Sequence, residues 1–156
     1  MDIAAECIPL IAADVVRGVS RLLFRHDYMA LSEVPLGNGR RADVMALDAR
    51  GEIVIIEIKV SRADLRGDTK WPCYLDYCDR FFWAVPAGFD LAPFEELAFR
   101  PDCCGLIVAD RYDAAILREA PTRPMPPARR KSELLRFARR AAWRVLAIQD
   151  PELGII

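Results

Sequence analysis

The sequence predicts one α/β domain: a helix, a three-stranded antiparallel meander, a second helix and a parallel strand, then a terminal β-hairpin and a basic C-terminal helix. Three observations predict it. Tight-turn signals divide residues 31–60 into three closely spaced strand-like segments. A helix-length stretch separates the third segment from another apolar strand, the spacing of a parallel crossover. A chain of 156 residues with 53% hydrophobic content and a net charge of −1 suits a single globular domain with a sizeable core. The core of that domain is expected within about 8–86, the hairpin within about 104–118 and the basic helix within about 130–148.

The elements follow in order. Ile8, Ile11, Ala12, Val15, Val19, Leu22 and Leu23 form a helical apolar stripe over Ile8–Phe24, with Asp14, Arg17 and Arg21 on the other side. Pro9 suits the first turn, where a missing N–H costs nothing. Leu31–Leu36 reads as a strand, and Gly37-Asn38-Gly39 as the turn after it. Arg41–Leu47 is the second strand, with Asp43, Met45 and Leu47 on one face. Asp48-Ala49-Arg50-Gly51 turns the chain into a third strand, Ile53–Val60. Asp68 is placed to cap a helix running to about Asp79, whose inward stripe is Trp71, Tyr74, Leu75 and Cys78 and whose first turn tolerates Pro72. Phe81–Val85 is the parallel strand. Gly88–Cys104 reads as irregular, with one helical turn near Phe94–Leu97. Gly105–Ala109 and Ala114–Leu117 form the hairpin, and Pro121–Pro127 is a stiff connector. The last helix runs from about Ser132 to Ile148. Its apolar face is Leu134, Leu135, Ala138, Ala141, Val145 and Leu146, and its other face carries Arg136, Arg139, Arg140 and Arg144.

Composition excludes several classes. The five cysteines are an odd set without a Cys-x-x-Cys pair, which points to reduced thiols in a cytoplasmic protein rather than a disulfide framework or a zinc site. A start of Met1-Asp2 is not a basic signal-peptide region, and no apolar run approaches a membrane span. His26 is the single histidine, so a histidine-based hydrolase is excluded as a first reading. There is no phosphate-binding P-loop and no dinucleotide fingerprint.

The chemistry is signalled inside the most apolar run. Glu57 and Lys59 interrupt Ile53–Val60 and share one strand face. Burying both charges is costly without compensation. A plain ion pair on a half-exposed strand would explain the two residues alone. Asp43, in the neighbouring strand, makes a site the better explanation.

The element order, Gly39-Arg40-Arg41-Ala42-Asp43-Val44 in the second strand and Glu57-Ile58-Lys59 in the third resemble the PD-(D/E)XK nuclease superfamily. Asp68-Thr69-Lys70-Trp71-Pro72-x-Tyr74, Cys78-Asp79-Arg80-Phe81, Arg129-Arg130-Lys131 and Leu135-Arg136-Phe137-Ala138-Arg139 resemble one branch, the MmcB-like DNA repair proteins, over nearly the whole chain. Ala42 stands where the superfamily pattern has proline. The resemblance implies a restriction-endonuclease-like core and metal-dependent phosphodiester hydrolysis on DNA, with Asp43, Glu57 and Lys59 as the catalytic set. Asp43, Glu57 and the Ile58 carbonyl are then the expected ligands of Mg²⁺ or Mn²⁺, hard cations that prefer oxygen. Lys59 is expected to orient or deprotonate the attacking water. Glu6, Asp14 and Glu33 are candidates for a further acid, and Glu33 is preferred because its strand adjoins Asp43.

The expected partner is single-stranded, branched or damaged DNA, with no membrane and no small-molecule cofactor. Arg40, Arg41, Lys70, Arg129, Arg130, Lys131, Arg136, Arg139 and Arg140 are its expected contacts, since clustered basic side chains bind phosphate. Asp68 and Tyr74 are accessory candidates, Asp68 as cap or site residue and Tyr74 as core or base-stacking residue. Asp64 reads as surface charge and Trp71 as core. Two other functions fit the same residues: a catalytically silent adaptor that recognises DNA structure, and a structural protein whose acids and lysine only stabilise the sheet.

Overall fold

The computed structural model describes residues 8–155; Glu6 and Cys7 lie outside them. One mixed six-stranded sheet runs in chain order, β1 to β6. The strands are β1 (Met29–Pro35), β2 (Arg41–Leu47), β3 (Ile53–Ile58), β4 (Arg80–Pro86), β5 (Cys104–Ala109) and β6 (Ala114–Arg118). Pairs β1–β2, β2–β3 and β5–β6 are antiparallel, and β3–β4 and β4–β5 are parallel. The meander and the parallel crossover are therefore as expected, and β5 adds a second parallel pair.

The sheet is covered on both faces, which is why β3 and β4 read as continuous apolar runs. One face carries Val44, Val54, Ile56, Phe82 and Ala84 beneath α1 (Ala12–Arg25), whose Val15, Val19, Leu22 and Leu23 point inward. Gly18 lets α1 lie close against the β5–β6 turn, because a Cβ there would stand 2.3 Å from the Asp110 carbonyl oxygen. The opposite face carries Met45, Ile53, Ile55, Phe81 and Trp83 against Trp71, Tyr74, Phe94, Phe99 and Phe137. Trp71 meets Trp83 edge-on at 4.8 Å between ring centroids, an attractive aromatic geometry.

Several boundaries differ from expectation, each for a local reason. The helix α1 starts at Ala12, because the Asp14 carboxylate accepts the Ile11 N–H at 2.9 Å and fixes the first turn there. Pro9 thus precedes the helix, and Ile8 and Ile11 are exposed. Strand β1 covers Met29–Pro35 rather than Leu31–Leu36, and β3 stops at Ile58 rather than Val60.

The single helix expected from Asp68 to Asp79 is two pieces. A short α2 (Arg62–Gly67) is capped by Ser61, whose hydroxyl accepts the Asp64 N–H, and a 3₁₀ helix spans Trp71–Tyr77. Gly67 weakens the α-helix, and 3₁₀ winding stacks residues three apart, so Trp71 and Tyr74 still face the core. Two further 3₁₀ turns, Ala92–Glu95 and Leu97–Phe99, occupy the irregular stretch.

The C-terminal helix α3 (Pro127–Gln149) departs most. It starts five residues early, with proline in its first turn. Its inward face is also not the apolar one. Glu133 and Phe137 are buried, while Leu135, Val145 and Leu146 are about half exposed. Polar anchors set this orientation. Arg130 makes two 2.6 Å bonds to Asp79, Glu133 accepts the Gly37 N–H at 3.1 Å, and Arg144 donates to the carbonyls of Ser32 and Glu33.

Candidate active site

The first three strands bring three acids onto one rung. Ser32 pairs with Val44 and Val44 with Ile56, so Glu33, Asp43 and Glu57 stand side by side one step further on. The ladder opens at that rung, and side chains take over its hydrogen bonds. The Asp43 N–H donates to Glu57 Oε1 at 3.2 Å, and the Ile58 N–H donates to Asp43 Oδ2 at 2.8 Å. Each of these two carboxylates so satisfies one backbone donor and retains a second oxygen. The rung opens into a cleft of about 540 Å³, lined by Ala12, Ala13 and Val16 of α1, Ser32 and Glu33, Asp43, Glu57–Val60 and Asp64.

Lys59 closes the far side. Only 6% exposed, it donates from Nζ to Asp68 Oδ2 at 2.8 Å and lies 3.8 Å from Asp64. Asp68 works twice, because its other oxygen accepts the N–H groups of Lys70 and Trp71 and so caps the 3₁₀ helix. Four carboxylates thus surround one ammonium.

The titration of the cluster reflects this imbalance. Burial and then the neighbouring Asp43 charge push the Glu57 carboxyl up to about 8. Burial also raises Asp43, although the Ile58 N–H and the Lys59 charge oppose it. Burial pulls Lys59 down, but the hydrogen bond and charge of Asp68, with Asp64 and Glu57, outweigh it and hold the ammonium above its ordinary range. Two adjacent buried carboxyls with raised affinity for a proton are equally a place for a cation. Among the described residues no three His, Cys, Asp or Glu side chains already converge as a metal-ligand set. Two carboxylates and a backbone carbonyl nonetheless fit a hard cation that keeps several waters.

A family model described as DNA repair protein MmcB-like matches residues 6–152. The chain belongs to the MmcB-like family. Among solved structures it is similar to the SPO1766 protein of unknown function from Silicibacter pomeroyi, with 45% sequence identity and a TM-score of 0.78, over 88% of this chain and 90% of that one. No curated protein matches. No helix among the described residues of this MmcB-like chain is long and apolar enough to cross a membrane.

The MmcB-like fold brings Asp43, Glu57, Ile58, Lys59 and Glu33 to one cleft. The Glu33 carboxylate currently faces Arg41, at 3.5 Å. Asp14, another candidate acid, accepts the Ile11 N–H and pairs with Arg111 at 3.2 Å. Arg40 is half-buried, and Arg41, Lys70, Lys131, Arg136 and Arg139 are exposed.

Other expected DNA contacts are engaged within the molecule. Arg130 is tied to Asp79 and the Gly51 carbonyl. Arg129 donates to the Asp76 carbonyl and covers the Tyr77 ring, and Arg140 lies over the Trp143 ring. Tyr74 is a core residue, 8% exposed, with its hydroxyl donating to the Arg41 carbonyl. Asp64, read from sequence as surface charge, lines the cleft. Its place three residues after the cap Ser61 was the available signal.

Proposed function

We propose that this MmcB-like protein is a DNA nuclease of the PD-(D/E)XK type, dependent on Mg²⁺ or Mn²⁺ and acting in DNA repair. The observation that carries this reading is the opened rung: Asp43 and Glu57 share a buried cleft with a lysine held charged beside them. The order of helix, antiparallel meander and parallel strand accords with a restriction-endonuclease-like core. Asp43, Glu57 and the Ile58 carbonyl would hold the ion. Bound there, a divalent cation polarises a phosphate and lowers the pKa of a water.

The protein's own groups do the rest. The Asp68 and Asp64 carboxylates fix the Lys59 ammonium, which offsets charge on the scissile phosphate. This favours an electrostatic role for Lys59 over proton abstraction. Arg40, just before β2, and Arg41, its first residue and paired with the cleft residue Glu33, are suited to hold the adjoining phosphodiester.

Incubation with single-stranded, nicked and branched DNAs plus Mn²⁺ tests the proposal. Cleavage of at least one substrate is expected. Lys59→Ala should reduce its rate by roughly 10²-fold, the scale of losing one preorganised charge partner, while leaving DNA binding intact. The adaptor reading draws on the hydrogen bonds that already engage the Asp43 and Glu57 carboxylates with main-chain N–H groups. It predicts equal binding of branched DNA by both proteins and no cleavage by either.

A further inference from the structure

Glu33 is the one residue of β1 with a left-handed backbone, at φ 51°. Such a conformation is strained for a residue with a side chain, so something must hold it. The bend removes Glu33 from direct pairing with Asp43 and leaves it on the cleft lining. Arg144 sits on this bend. Its guanidinium donates to the main-chain carbonyls of both Ser32 and Glu33, the second at 3.1 Å. Among the described residues Arg144 makes no ion pair, so its hydrogen bonds shape backbone rather than neutralise a carboxylate. A charged donor bridging two successive carbonyls is a strong restraint on the peptide between them.

We propose that Arg144 is a positioning residue of the cation site: from α3 it locks the left-handed turn that keeps Glu33 on the cleft wall, so that its carboxylate, paired with Arg41 at 3.5 Å in the metal-free protein, can turn inward as the third acid. The inference rests on the cation reading above and adds to it a long-range support for one ligand. Its signature is coupling. Removing Arg144 should matter only while residue 33 carries a carboxylate to position.

The test is Mn²⁺ affinity, read from the electron paramagnetic resonance signal of free Mn²⁺. Four proteins are compared: wild type, Arg144→Ala, Glu33→Gln and the double variant. Wild type should take up Mn²⁺. Arg144→Ala should weaken uptake by about tenfold, the usual cost of losing a supporting contact behind a ligand. Glu33→Gln should weaken it similarly, and the double variant no further, which is non-additivity between coupled residues. Arg144→Lys, which lacks the planar fork, should restore only part of the affinity. A melting temperature lowered by Arg144→Ala with Mn²⁺ affinity unchanged would overturn the positioning role, and so would fully additive losses. Absence of Mn²⁺ uptake by wild type would instead overturn the cation reading and this inference with it.

Discussion

Replacing Glu57 with glutamine is expected to remove an alkaline loss of stability from the metal-free protein and to abolish its Mn²⁺ uptake. The folded carboxyl titrates near 8 against an ordinary 4.5. Between those pH values the folded chain keeps a proton that the unfolded chain has released. The Glu57 contribution must then fall as pH rises through this window and level off above it, while the Cys78 and Cys104 thiols, pushed up by burial, add a further loss toward pH 9. A shift of this size corresponds to roughly 3–5 kcal/mol as an upper bound, because Asp43 titrates with Glu57 and shares the effect. Asp43 and Glu133, also raised by burial, act in the same direction. The difference between wild type and Glu57→Gln therefore reports Glu57 together with the part of the Asp43 titration that depends on it. Urea midpoints from pH 5 to 9, in chelator, measure it. A wild-type curve that is flat or rising would refute the prediction. Adding Mn²⁺ at pH 8 should recover stability in wild type by mass action, and not in Glu57→Gln.

The second large effect is structural. Asp79→Ala should destabilise the fold by about 1–3 kcal/mol, the cost of leaving a buried main-chain donor unpaired. Asp79 is 4% exposed, and its carboxylate accepts the Ile53 N–H at 2.8 Å and both terminal nitrogens of Arg130 at 2.6 Å. Truncation would orphan the Ile53 main-chain donor at the start of β3 and leave the Arg130 guanidinium of α3 with the Gly51 carbonyl and solvent. The paired replacement Asp79→Leu with Arg130→Met should cost less than Asp79→Ala, since no guanidinium is then left without its partner, while the unpaired Ile53 N–H costs the same in both. Equal urea midpoints for wild type and Asp79→Ala would refute this expectation.

What could be read from the sequence follows from where partners lie. Strands β3 and β4 were legible because burial on both faces demands an unbroken apolar run, and Glu57 and Lys59 stood out against it. Glu33 was reachable by adjacency, since a meander must place β1 beside β2. The orientation of α3 was not legible. Its apolar stripe is real, but the helix is turned by bonds from Arg130 to Asp79, Glu133 to Gly37 and Arg144 to Glu33, at separations of 51, 96 and 111 residues. No local period encodes such bonds. The 3₁₀ helix escaped for another reason: Trp71 and Tyr74 are three apart, a spacing that both helix types place on one side.

The aromatic stack has a practical consequence. Trp83 stands opposite Glu57 across the β3–β4 pairing, and Trp71 gives its backbone N–H to the carboxylate that holds Lys59. Both indoles are nearly dry, whereas Trp143 is half in water. The molecule carries a built-in optical gauge of the proposed cation site: if the cleft takes up Mn²⁺, blue-edge emission from the two shielded indoles should change, while the red-edge light of Trp143 stays constant as an internal standard.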